Sequence, residues 1–101
     1  MRTLLKVVCD TAASNKALMD GTLAQIIQST MERIQPEASY FGTAEGSRSC
    51  FVVFDLKDLS DLPSIAEPLF LNLGAKVEFI PVMNLEDLQK GLEKFQKPQE
   101  S

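Results

Sequence analysis

Cys50-Phe51-Val52-Val53-Phe54 is apolar at five consecutive positions. Successive side chains of a strand point to opposite faces of a sheet, so a strand built from this run is apolar on both. A chain of 101 residues with two or three helices can cover one face of a small sheet and hardly both. The run therefore sets an expectation: something outside the chain covers the second face. The simplest candidate is a second copy of the same chain, because one self-complementary patch then serves both subunits.

The length suits a single domain with one hydrophobic core, expected over residues 1–96 with a polar tail at 97–101. With 45% hydrophobic and 24% charged residues the composition is that of an ordinary globular chain. A net charge of −4 without any basic stripe argues against nucleic acid and against an acidic membrane surface as partners. The opening Met1-Arg2-Thr3-Leu4-Leu5-Lys6 is too short and too soon interrupted for a signal peptide, and no apolar run reaches the length of a bilayer span. The expected location is the cytoplasm. Histidine is absent, which removes the commonest general base and the commonest metal ligand. Cys9 and Cys50 cannot complete a zinc site without unusual partners, so neither a metal nor another cofactor is expected. Each lies in an apolar, strand-like run and reads as a buried free thiol.

Along the chain, residues 3–10 read as a first strand. Residues 14–34 read as helical, with Met19, Leu23, Ile26, Thr30 and Ile34 marking one inward stripe. Asp20-Gly21 interrupts them, and Thr22 followed by Gln25 looks like a capping box for a main helix that Pro36 stops. Residues 37–44 and 49–56 are the second and third strands, joined at a two-residue Gly46-Ser47 loop with glycine first. Residues 62–73 form a second helix closed by Gly74, which Pro68 should kink or split. Residues 76–83 are a fourth strand that Pro81 places at a sheet edge. Asn84 and Asp87 cap a last helix with an apolar stripe of Leu85, Leu88, Leu92 and Phe95. The fold class is α+β. The order β-α-β-β-α-β plus a terminal helix is the ferredoxin-like arrangement, a four-stranded antiparallel sheet in the order 4-1-3-2 with its helices on one face.

Parity populates the face left open. Leu5, Val7 and Cys9 form the more uniformly apolar set of the first strand and should face the helices, which leaves Leu4, Lys6 and Val8 on the open side. Phe51, Val53 and Asp55 join them, with Tyr40 and Gly42, and with Glu78, Ile80 and Val82. The assumed loop pairs Tyr40 with Val53 and Phe41 with Val52. Five residues become candidates for a small-ligand site on this face: Lys6, Tyr40, Phe51, Asp55 and Glu78. Lys6 and Glu78 on neighbouring strands can pair as ions that fix register, or line a cavity in which an apolar surround shifts their protonation. Arg48 beside the turn reads as a solvated arginine or an anion contact, and Glu67 as a helix-surface glutamate or a carboxylate aimed at the cleft. In the assumed register Cys9 and Cys50 fall opposite each other. Within enzyme chemistry, the side chains suit cofactor-independent proton transfer or oxygenation.

Residues 36–41, 51–56, 65–70 and 77–83, with Glu86-Asp87-Leu88 after them, resemble an uncharacterised family of short bacterial proteins. More broadly the pattern is similar to the dimeric α/β-barrel superfamily, which includes muconolactone isomerase and the antibiotic-biosynthesis monooxygenases. The resemblance implies a homodimer packed sheet to sheet, with a ligand between sheet and helices or inside the barrel. Several such proteins use histidine, and this chain has none. Two functions follow as expectations: a homodimer that binds a small apolar or aromatic ligand, or a non-catalytic assembly module whose open face serves only dimerisation.

Overall fold

The computed structural model describes residues 1–97; the polar tail expected at 97–101 falls, beyond Lys97, outside them. The chain runs β1 (Arg2–Val8), α1 (Thr11–Met19), α2 (Thr22–Ile34), β2 (Ala38–Ala44), β3 (Ser47–Asp55), a 3-10 turn (Leu59–Asp61), α3 (Leu62–Leu73), β4 (Lys76–Pro81) and α4 (Leu85–Gln96). It is an α+β protein whose four strands form one antiparallel sheet in the order β2-β3-β1-β4. Read from the other edge, this is the expected order of fourth, first, third and second. No helix among the described residues is long and apolar enough to cross a membrane.

Local chemistry sets the element ends. Asp10 is not the end of a strand but the cap of α1, its carboxylate accepting the Ala13 N–H at 2.9 Å. Asp20 and Gly21 separate α1 from α2 as expected, but the capping box at Thr22 does not form. The Asp20 carboxylate instead accepts the Thr22 hydroxyl at 2.6 Å and its N–H at 3.0 Å, and these bonds hold it below the usual carboxylate range. Pro68 neither ends nor splits α3, which is continuous over twelve residues. Pro68 and Ser64, whose carbonyl loses a helical partner, both lie on the exposed face, so the unpaired carbonyl is not buried in the core. Ile65, Ala66, Leu69 and Leu73 hold the buried face together. Glu67 lies on the exposed side. At α4 the capping box is complete: Asn84 accepts the Asp87 N–H at 2.8 Å, and Asp87 accepts the Asn84 N–H at 3.3 Å.

The β2–β3 turn departs from the sequence reading. Its two loop residues are Glu45 and Gly46, with φ of 54° and 74°, between the paired Ala44 and Ser47. Two consecutive left-handed residues match the right-handed twist of the strands, and glycine takes the second place rather than the first. Tyr40 therefore opposes Phe51 instead of Val53, and Phe41 opposes Cys50 instead of Val52. The pairing moved by two residues, so every side chain kept its expected face.

The core lies between the sheet and α1–α3. Thr3, Leu5 and Val7 of β1 and Val52 and Phe54 of β3 are buried there against Ala17, Ile34, Ile65, Leu69 and Leu73. Phe54 meets Phe79 of β4 edge to face, with ring centroids 6.5 Å apart. Each full-size apolar side chain buried there contributes roughly 1.5–3 kcal/mol.

By contrast, α4 buries nothing. Leu85, Leu88, Leu92 and Phe95 are 69%, 41%, 51% and 84% exposed along one stripe. Among the described residues the helix is tied at its root, where Arg2 reaches Asp87 at 3.2 Å and the Val82 N–H reaches the Arg2 carbonyl at 3.2 Å. The protein measures 59 × 28 × 21 Å, and its radius of gyration is 16.7 Å. A compact chain of this length would have a radius of about 12.7 Å.

Candidate functional site

On the face away from the helices, the register sorts side chains into rows that cross all four strands. One row is Ala38, Val53, Leu4 and Ile80, wholly apolar. The next is Tyr40, Phe51, Lys6 and Glu78. Four of the five residues singled out in the sequence thus stand side by side, near 5 Å apart by the geometry of direct cross-strand neighbours. Asp55 does not join them. It lies four positions further along β3 than Phe51, opposite Arg2, and its carboxylate takes the Met1 amine at 2.6 Å, which holds it below the usual range.

The charges in and around this face are arranged in two groups. Lys6 Nζ lies 3.9 Å from Glu78 and 4.0 Å from Glu45 at the hairpin tip, whose other oxygen takes Lys76 Nζ at 3.1 Å. At the far end of the sheet Arg2 binds Glu37 at 2.7 Å and Asp87 at 3.2 Å, and Glu37 pushes the guanidinium pKa up. Between these ionic ends lies an apolar block of Ala38, Val53, Leu4, Ile80, Phe51 and Tyr40, with Tyr40 68% exposed. Apolar centre and polar rim are the anatomy of a protein interface. Glu45 escaped the sequence reading because the turn was placed one residue too late.

The sheet's other side carries a cavity of about 240 Å³. It exists because α2 packs mainly on α1 and α3 and leaves β2 without a helix over it. Val7, Leu69 and Leu73 form a buried floor, and Leu23, Ile27 and Met31 of α2 a roof. Phe41, 56% exposed, and Gly42 border its open side on β2. Cys9 and Cys50 lie in its wall as free thiols. They are diagonal rather than opposite, since Cys50 pairs with Val7 and the Cys9 N–H bonds the Arg48 carbonyl at 2.8 Å. Burial raises Cys9 despite the opposing charge of Arg48, and burial together with Cys9 pushes Cys50 up to about 11. Both are neutral thiols at pH 7, poor nucleophiles and good apolar wall.

The polar groups of this cavity are mostly satisfied from within. Thr30 donates to the Ile26 carbonyl at 2.8 Å, and Ser49 bonds the Ala44 N–H at 3.1 Å. Arg48 differs. It is not a solvated turn residue: its Nη1 donates to Ser14 Oγ at 2.8 Å and Asn15 Oδ1 at 2.9 Å. Among the described residues no three Cys, Asp or Glu side chains are grouped to hold a metal ion. No family model matches the chain, and no curated protein matches it in sequence.

Proposed function

We propose that this chain is a homodimeric binding protein, two copies packing open face to open face around the row of Tyr40, Phe51, Lys6 and Glu78. The observation that carries this reading is a double one: the apolar sheet block and the apolar stripe of α4 are both uncovered in one chain. Burying half a dozen such side chains per chain gives about 10 kcal/mol before the costs of association. The accessible surface, 7079 Å² for 11.2 kDa, supports it. A compact monomer of that mass exposes about 5,700 Å², and one partner of a standard interface buries about 800 Å².

The finer fold reading is a ferredoxin-like half of a dimeric α/β barrel. Of the aligned face-to-face pairings, a two-fold axis along the strands lays the β4 edge of one copy over the β2 edge of the other. That choice brings α4 to the strand no helix covers. In this reading a small apolar or aromatic ligand sits between the sheets, against Tyr40 and Phe51, with Lys6 and Glu78 as its polar end. Naphthalene is a suitable probe, followed by its fluorescence. It should bind the wild type and lose affinity in Tyr40→Ala and Phe51→Ala; unchanged binding by both variants in an intact dimer would rule the ligand out.

A second reading, assembly without a ligand, is favoured by one observation. Lys6 is already flanked by Glu45 and Glu78 of its own chain, as an ion chain that fixes register would be. It predicts a dimer interior filled by side chains.

A further inference from the structure

We infer that the cavity beneath α2 is a second binding site, for a small organic monocarboxylate whose apolar tail enters the cavity and whose carboxylate meets Arg48. Three observations converge. First, the walls are apolar, and their few hydroxyls are used within the chain. Second, Arg48 borders this space as a charge without a counter-ion: among the described residues no carboxylate lies within 4.0 Å of it. Its described side-chain bonds both leave from Nη1 and go to neutral oxygens, those of Ser14 and Asn15. These bonds hold the guanidinium in place while leaving it a net positive charge. A guanidinium fork suits a carboxylate, and a charge-assisted bond at the edge of an apolar space is stronger than the same bond in water.

Third, the size is selective. A dry cavity of about 150 Å³ is known to take benzene, so one of about 240 Å³ holds in proportion about ten non-hydrogen atoms. That is a short aliphatic chain or a substituted ring, well below the bulk of a long-chain fatty acid. The protonated thiols of Cys9 and Cys50 leave the wall uncharged, so nothing there repels a carboxylate. Every residue that would hold the ligand belongs to one chain, and the cavity lies on the opposite side of the sheet from the proposed face-to-face contact.

Octanoate, 1-octanol and dodecanoate are the probes, titrated calorimetrically at pH 7 into the wild type, Arg48→Gln, Arg48→Lys and Ile27→Phe, each checked for folding by circular dichroism. Octanoate should bind once per chain and dodecanoate no more tightly. Arg48→Gln should weaken octanoate by about tenfold or more while 1-octanol changes less than about twofold, and Arg48→Lys should keep most of the affinity. Ile27→Phe, which fills the roof without touching the charge, should weaken both by about tenfold or more. Absence of octanoate binding by the wild type overturns the inference. So does equal loss of octanoate and octanol in folded Arg48→Gln, or unchanged binding in Ile27→Phe. The mass of the wild type in the same samples reports on the dimer separately.

Discussion

Leu4 and Leu5 are neighbours in one strand, identical in chemistry, and their environments could hardly differ more. Leu5 is fully buried under the helices between Val52 and Phe79, while Leu4 is only partly buried on the other face between Val53 and Ile80. Both positions belong to rows of apolar side chains. One face of the sheet is covered within the chain except at β2, and the other is built of the same materials but left unfinished. An apolar surface of this kind acquires its stabilisation when a partner arrives, and a second copy, which carries a matching unfinished face, is the partner proposed for it.

The contrast can be broken most sharply by truncating the two leucines in turn. Leu5→Ala should cost about 2–5 kcal/mol of unfolding free energy at every protein concentration. Leu4→Ala should leave the dilute monomer nearly as stable as the wild type and lose stability only where the dimer forms, a difference that denaturant melts across concentration reveal. Next in size, Leu88→Asp with Leu92→Asp on the exposed α4 should weaken self-association by about a hundredfold or more without altering the helix content of the monomer. An unchanged dissociation constant would mean that α4 takes no part in the interface.

Lys6→Met distinguishes register from ligand chemistry on the open face. If the lysine only completes the ion chain with Glu45 and Glu78, stability should change by under about 1 kcal/mol and 2-naphthoate, whose carboxylate could meet Lys6, should bind Lys6→Met as it binds the wild type. The remaining effect, absent at neutral pH, concerns the helix side. Cys50 is raised to about 11 by burial, so the folded state keeps a proton there that the unfolded chain releases at lower pH. The stability tied to that thiol is fully present below the unfolded pKa and is lost as pH rises through the folded value. Melting temperature should therefore fall between the ordinary thiol range and about pH 11, and Cys50→Ala should flatten that part of the profile.

Much of this was legible from alternation alone. The apolar sets of β1, β3 and β4 named the face of each side chain, and caps and prolines placed most element ends. The register was read less well, because a glycine-first loop is a natural reading of Gly46-Ser47 and nothing local announces that Glu45 adopts a left-handed backbone. An error of two positions preserved parity, so Lys6, Tyr40, Phe51 and Glu78 still came together in one row. Asp55 was correctly assigned to its face but not to its partner, the Met1 amine, which only the β1–β3 register brings near. The cavity was invisible for a different reason. It depends on how far α2 stands from β2, a property of packing rather than of any residue pattern, and Arg48 acquires its meaning only beside that space. Pro68 misled because propensity describes an isolated helix, whereas α3 is held by its buried side.

Coverage of the open face by a second copy, as proposed, is measured directly by sedimentation equilibrium of the wild-type chain beside Val53→Arg, a charge placed in the middle of the apolar block. A dimer closed over the open face should give twice the 11.2 kDa chain mass for the wild type at micromolar concentration, and the chain mass for a Val53→Arg protein that remains folded. A wild-type chain that sediments as 11.2 kDa throughout, or a Val53→Arg variant that still sediments as a dimer, would contradict it.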